Sequence, residues 1–127
     1  MHHDTQTLAG RRILVVDNDP LIRLGTVFML RETGYTVSSA EGADQALAML
    51  ADAAAPDLLI TDYAMPGDNG VTLARKACAL HKQLKVLVVT GHATLKEPID
   101  PAWGMLGKPF TGGELHDAIA GTMRRAG

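Results

Sequence analysis

Pro56-Asp57-Leu58-Leu59-Ile60-Thr61-Asp62-Tyr63-Ala64-Met65-Pro66-Gly67 is an apolar run opened by a proline and closed by a carboxylate and a Pro-Gly turn. Short apolar runs bounded by turn residues read as core strands. Asp62, at the strand's carboxyl end, is either the cap of the following turn, a common use of Asp, or an acid placed for chemistry. The stretch alone leaves both readings open.

On its amino-terminal side, Arg11-Arg12-Ile13-Leu14-Val15-Val16-Asp17 places four aliphatics before a second acid, the pattern of a parallel strand covered on both faces. Asp19 and Pro20 then open a helix as N-cap and first helical residue. Leu21, Leu24, Gly25 and Phe28 recur at helical spacing as its expected apolar face, and Gly34 ends it in a left-handed cap. Tyr35 to Ser39 is a short β-branched strand, and Gly42 to Ala54 a helix with Ala46, Leu47, Met49 and Leu50 inward. Beyond the opening stretch, a helix is expected from Gly70 to Lys82, with Val71, Ala74, Ala77 and Cys78 packed. Lys85 to Thr90 is another aliphatic strand, Gly91 breaks it, and Trp103 to Gly107 is a poorer fifth one. Thr111 and Glu114 form a capping box for a last helix that runs through Arg124.

Strand and helix alternate, which implies an α/β fold: a doubly wound parallel sheet with right-handed crossovers. Ligands in such sheets bind beyond the carboxyl ends of the strands. Those ends carry Asp17, Asp62, Thr90 and, just past the fifth strand, Lys108. Two carboxylates, a hydroxyl and an ammonium suit phosphoryl transfer. Asp17 with Asn18 or Asp19 can hold a hard cation, Asp62 can act as nucleophile, and Thr90 and Lys108 can stabilise the transferred group.

The chain has 127 residues, 46% of them hydrophobic and 20% charged, which fits one globular domain. Net charge is −2, with 12 basic and 14 acidic residues and no run of like charge, so neither nucleic acid nor an anionic membrane is expected as partner. No apolar run is long enough to span a bilayer and the first residues lack a signal peptide's apolar segment, so a cytoplasmic location is expected. Cys78, the single cysteine, reads as a structural thiol. Residues 1–10, with His2 and His3, read as a disordered or tag-like start, and residues 11–127 as the domain.

Val16-Asp17-Asn18-Asp19-Pro20, then Asp62 to Gly70, then Thr90-Gly91, then Lys108-Pro109-Phe110 together resemble the receiver domain of two-component response regulators, over essentially residues 11–125. The resemblance implies the flavodoxin-like (βα)5 fold with strand order 2-1-3-4-5, an order that periodicity does not give. It implies that Asp62 accepts a phosphoryl group from the phosphohistidine of a sensor histidine kinase or histidine phosphotransfer protein. It further implies Mg²⁺ held by Asp17, position 18, Asp62 and the Ala64 carbonyl, with Thr90 and Lys108 on the phosphoryl oxygens and Ala64 and Gly91 as backbone contacts. Ala64 and His92 are implied to flank the water that hydrolyses the acyl phosphate. The domain is thus expected to be a signalling module that assists its own phosphorylation, not an enzyme, with its downstream protein partner unspecified.

Three features depart from the family pattern. Asn18 stands where a second acid is usual, so its amide oxygen brings no charge to the cation. Met105 stands at the position of an aromatic switch; Trp103 shares its strand parity, though a packed tryptophan is the plainer reading. Residues 91–107 are few for a loop, a helix and a strand, and Pro98 and Pro101 interrupt helix there, so the fourth helix is expected to be shortened or irregular and the output face unusual. A degenerate receiver, acting as a phosphorylation-independent interaction module, is the alternative. An aspartate-dependent phosphatase fits poorly, because Ala64 occupies the place of its second acid. With no output segment after the last helix, the chain is expected to be a stand-alone regulator, a relay or a receiver cut from a hybrid kinase.

Overall fold

The computed structural model describes residues 10–52, 54–91, 95 and 97–125. Five parallel strands, β1 (Arg12–Val16), β2 (Thr36–Ala40), β3 (Leu58–Asp62), β4 (Lys85–Thr90) and β5 (Gly104–Gly107), lie in the order β2-β1-β3-β4-β5. Among the described residues four helices accompany them: α1 (Pro20–Glu32), α2 (Ala43–Asp52), α3 (Gly70–Leu80) and α4 (Gly112–Arg124). The expected fold and strand order are both present.

Alternation along the strands divides the core into two layers, because successive side chains point to opposite faces. Leu14, Val16, Leu59, Val86 and Val88 pack with Ala46 and Leu50 of α2 and Val71, Ala74 and Ala77 of α3. Ile13, Val15, Leu58, Ile60, Leu87 and Val89 pack with Val27 and Leu30 of α1 and Leu115 and Ile119 of α4. Burying each such aliphatic side chain contributes roughly 1.5–3 kcal/mol, which is why the central strands contain almost nothing else.

One expected face is reversed. Leu21, Leu24 and Phe28 are 80%, 67% and 64% exposed, while Thr26, Val27 and Leu30 are the buried residues of α1. The helix has two apolar stripes, and spacing alone cannot say which faces the sheet. The entry decides it: the Asp19 side chain accepts from the Leu21 and Ile22 amides at 2.9 and 3.2 Å, and Arg23 donates back to the Asp17 carbonyl at 2.7 Å. That anchoring turns Val27 and Leu30 inward. The other helix signals behave as expected, with Gly34 at φ 103° past α1 and both halves of the Thr111–Glu114 capping box formed.

Between β4 and β5 the described residues form no helix, as the prolines imply. Met105 is 42% exposed, whereas Trp103, before the strand, is buried in the core layer that holds residues of α2 and α3. The two share parity but not environment, and Trp103 is a packed core residue. Cys78 is partly buried, its thiol raised above the usual range chiefly by burial and further by the Asp100 charge, which suits a structural role.

The turn from β3 into α3 admits no side chain at its last step. A Cβ on Gly70 would lie 2.3 Å from the Asp62 carbonyl oxygen, a backbone atom that cannot move aside. Gly70→Ala is expected to lower stability by about 2–3 kcal/mol. Urea denaturation checks this, and an unchanged midpoint would show that the turn can open.

Candidate functional site

The carboxyl edge of the sheet gathers the four strand-end residues. β1 and β3 are adjacent, with Val16 opposite Thr61, so Asp17 and Asp62 emerge side by side. They are 5% and 8% exposed. β4 follows with Asp62 opposite Val89, which sets the buried Thr90 next to the acid, and the Tyr63 amide continues the pairing by donating to the Val89 carbonyl at 2.8 Å. The Lys108 amide donates to the Thr90 carbonyl at 2.8 Å, and Lys108-Pro109 is a cis peptide.

From there the Lys108 ammonium reaches both acids, 3.1 Å from Asp17 Oδ2 and 3.3 Å from Asp62 Oδ1. The second oxygen of Asp17 accepts from the Asp19 amide at 2.9 Å. Asp19 itself is engaged as the α1 cap, so it does not join the pair. Asn18 and Ala64 are exposed at the rim, and Gly91 is exposed just past Thr90. Met105 sits on the edge strand away from these groups, and His92 lies outside the described residues.

Among the described residues no three His, Cys, Asp or Glu side chains come together as a metal cluster. The donors at this edge are the two carboxylates, the Asn18 amide and backbone carbonyls. Such an all-oxygen set with two acids suits Mg²⁺, which keeps several waters and needs only one or two carboxylates.

Sequence reasoning missed two contributors. Arg23 fixes the backbone of Asp17 from α1, and no motif marks it. Glu97, from the segment before β5, accepts hydrogen bonds from Tyr63 and Asn69 at the ends of the loop after Asp62; nothing in its local sequence signals that reach.

A family model described as the response regulator receiver domain matches residues 13–120. The chain is 35% identical to the C4-dicarboxylate transport transcriptional regulatory protein DctD of Rhizobium meliloti over 93% of its own length, spanning only 25% of that protein. Among solved structures it resembles the receiver domain from the hybrid histidine kinase CckA, with TM-score 0.76, 30% identity, and coverage of 89% of this chain and 99% of that one. It also resembles the response regulator TrrA from Thermotoga maritima in complex with Mg²⁺ and BeF, with TM-score 0.77, 29% identity, and coverage of 88% and 98%.

The electrostatics of the acid pair have a measurable consequence. Burial raises the Asp62 carboxyl above its ordinary value; Lys108 pulls it down and Asp17 pushes it up, and the result stays raised. For Lys108 burial works against the charge, but the hydrogen bond to Asp17 and both acids' charges outweigh it and hold the ammonium above its ordinary range. An acid whose folded pKa is raised destabilises the fold above that pKa, and the penalty is relieved as pH falls through it. Asp62→Asn is therefore expected to raise Tm by a few degrees at pH 7 without magnesium, the gain shrinking as pH falls through the raised Asp62 pKa. Calorimetry across pH checks this, and a gain that does not vary with pH would contradict it.

Proposed function

The chain belongs to the response regulator receiver domain family, and on that premise we propose that Asp62 is the phosphoacceptor of a phosphohistidine-dependent relay. The observation that carries the reading is the single Lys108 ammonium bridging two buried carboxylates at one sheet edge. A carboxylate oxygen of Asp62 attacks phosphorus, the bond from phosphorus to the donor imidazole nitrogen breaks, and an aspartyl phosphate results. Lys108 is in place to follow the phosphoryl oxygens, moving from a carboxylate to a phosphoryl partner of the same charge sign. Thr90, at the end of the neighbouring strand, supplies a hydroxyl to the same group. The Ala64 and Gly91 amides border it.

Asp17, Asn18, Asp62 and the Ala64 carbonyl would hold Mg²⁺. Bound there, the cation supplies charge that screens the incoming anion from the two acids. With Asn18 in place of an acid, one negative charge is absent, which for each unit of cation charge is a difference of about 1 kcal/mol at 4 Å in water and about 4 kcal/mol at an effective dielectric near 20. We assign the domain to signalling and not to substrate turnover, with a cytoplasmic location; no described helix is long and apolar enough to cross a membrane. The reading as a phosphorylation-independent module is favoured by no feature of the site.

The exposed stripe of α1 supports a helical phosphodonor. Leu21, Leu24 and Phe28 run from the helix start beside Asp17 at i, i+3 and i+7, a spacing that suits packing against another helix. A phosphohistidine on a helix seated there faces the edge that holds Asp62.

Incubation with acetyl phosphate and Mg²⁺ is expected to give one phosphoryl adduct by intact mass, abolished in Asp62→Asn; an unmodified wild type would sink the proposal. Leu24→Glu with Phe28→Glu is expected to leave labelling by acetyl phosphate intact while slowing transfer from a phosphorylated histidine kinase or phosphotransfer protein at least about tenfold, the effect of removing roughly 1.4 kcal/mol of docking contact. Equal slowing with both donors would mean that the stripe is not the docking face.

A further inference from the structure

The loop that follows Asp62 is held at both ends by one carboxylate from elsewhere in the chain. Tyr63 and Asn69 are its first and last residues. Glu97 Oε2 accepts from the Tyr63 hydroxyl at 3.2 Å and from Asn69 Nδ2 at 2.9 Å. Its other oxygen, Oε1, accepts from Arg75 Nη1 at 3.4 Å, and Arg75 Nη2 donates to the Pro98 carbonyl at 3.0 Å, so α3 holds the carboxylate in return. Asn69 serves twice: its Oδ1 caps α3 by accepting from the Thr72 amide at 2.9 Å. A backbone bond from the Gly70 amide to the Tyr63 carbonyl, at 2.8 Å, draws the same two ends together.

We infer that Glu97 is a positioning residue for phosphoryl transfer at Asp62: by clasping Tyr63 and Asn69 it fixes the loop that presents the Ala64 backbone to the metal and phosphoryl group. This rests on the phosphoacceptor reading of Asp62. Glu97 touches none of the reacting atoms. Its effect runs through residue 63, which directly follows the nucleophile, and residue 69, which starts the helix beyond it. A single carboxylate suits the task because it is acceptor-only and can receive all three donors. Glutamine at the same place has one acceptor oxygen and a competing donor, so it keeps part of the clasp; alanine keeps none. Hydrogen bonds to a charged acceptor that is only partly exposed, at 26% of the side chain, are strong enough to order a seven-residue loop.

The test compares wild type, Glu97→Gln, Glu97→Ala and Arg75→Ala. In metal-free protein, Glu97→Ala is expected to speed amide exchange of residues 63–70 at least about tenfold, with Glu97→Gln between it and wild type. The Mg²⁺ concentration for half-maximal labelling by acetyl phosphate is expected to rise about fivefold in Glu97→Ala, to be partly rescued in Glu97→Gln, and to rise less in Arg75→Ala, which removes only the outer arm, than in Glu97→Ala. Wild-type exchange in the loop of Glu97→Ala would overturn the inference. So would a lower Tm with unchanged Mg²⁺ half-saturation, the mark of a purely structural role. If wild type takes no phosphoryl group, the functional reading fails and the positioning role with it, while the exchange comparison, which needs neither metal nor phosphate, still shows whether the clasp exists.

Discussion

Two carboxylates repel each other at the carboxyl edge of this sheet, and one ammonium holds them there. Asp17 and Asp62 are both nearly buried, and burying like charges together is costly unless a cation answers them. Lys108 does so through contacts to each, one positive charge against two negative ones, while burial first and the Asp17 charge after it hold the Asp62 carboxyl above its ordinary value against the pull of Lys108. The charge is incompletely compensated. That shortfall of positive charge is what a bound cation would make good before the anionic phosphoryl group of the proposed reaction arrives.

The rest of the fold can be read as a means of keeping that pair in place. Parallel pairing of β1 with β3 sets the two acids side by side, and helices on both faces exclude water from the strands behind them. α1 contributes twice from its first turns, through the Asp19 cap and the Arg23 bond to the Asp17 carbonyl. Apart from Asn18 beside Asp17, the departures collect on the far side of β4. There the chain crosses to β5 without a helix among its described residues, Met105 is partly exposed, and Glu97 reaches back to the loop after Asp62. In place of an aromatic on β5, this side of the molecule has a polar tether between the crossover and the loop after Asp62.

What the sequence made legible follows from the range of the physics involved. Strands of four or more aliphatics, the Asp19 and Thr111 caps and the Gly34 terminator are local signals, and each stands where its chemistry requires. The acids, threonine and lysine at the strand ends were legible because strand order and the rule for parallel sheets bring distant residues to one edge. The inward face of α1 was not, because two apolar stripes of similar strength compete and only the tertiary anchor at Arg23 and Asp17 selects between them. Glu97 was invisible for a related reason: a polar contact 28 and 34 residues from its partners leaves no periodic trace.

The Lys108–Asp17 contact joins residues 91 positions apart, and this bears on how the molecule assembles. A parallel sheet has no hairpins, so every strand pairing closes a long loop before it returns any contact energy. Pairing of β1 with β3 brings the two acids together, but their counter-charge arrives only when the segment after β5 docks. Any partly assembled species with the first part of the sheet formed therefore carries an unanswered pair of negative charges at its edge. That penalty falls on intermediates and not on the finished fold, so the same charges that define the site also make its assembly more nearly all-or-none.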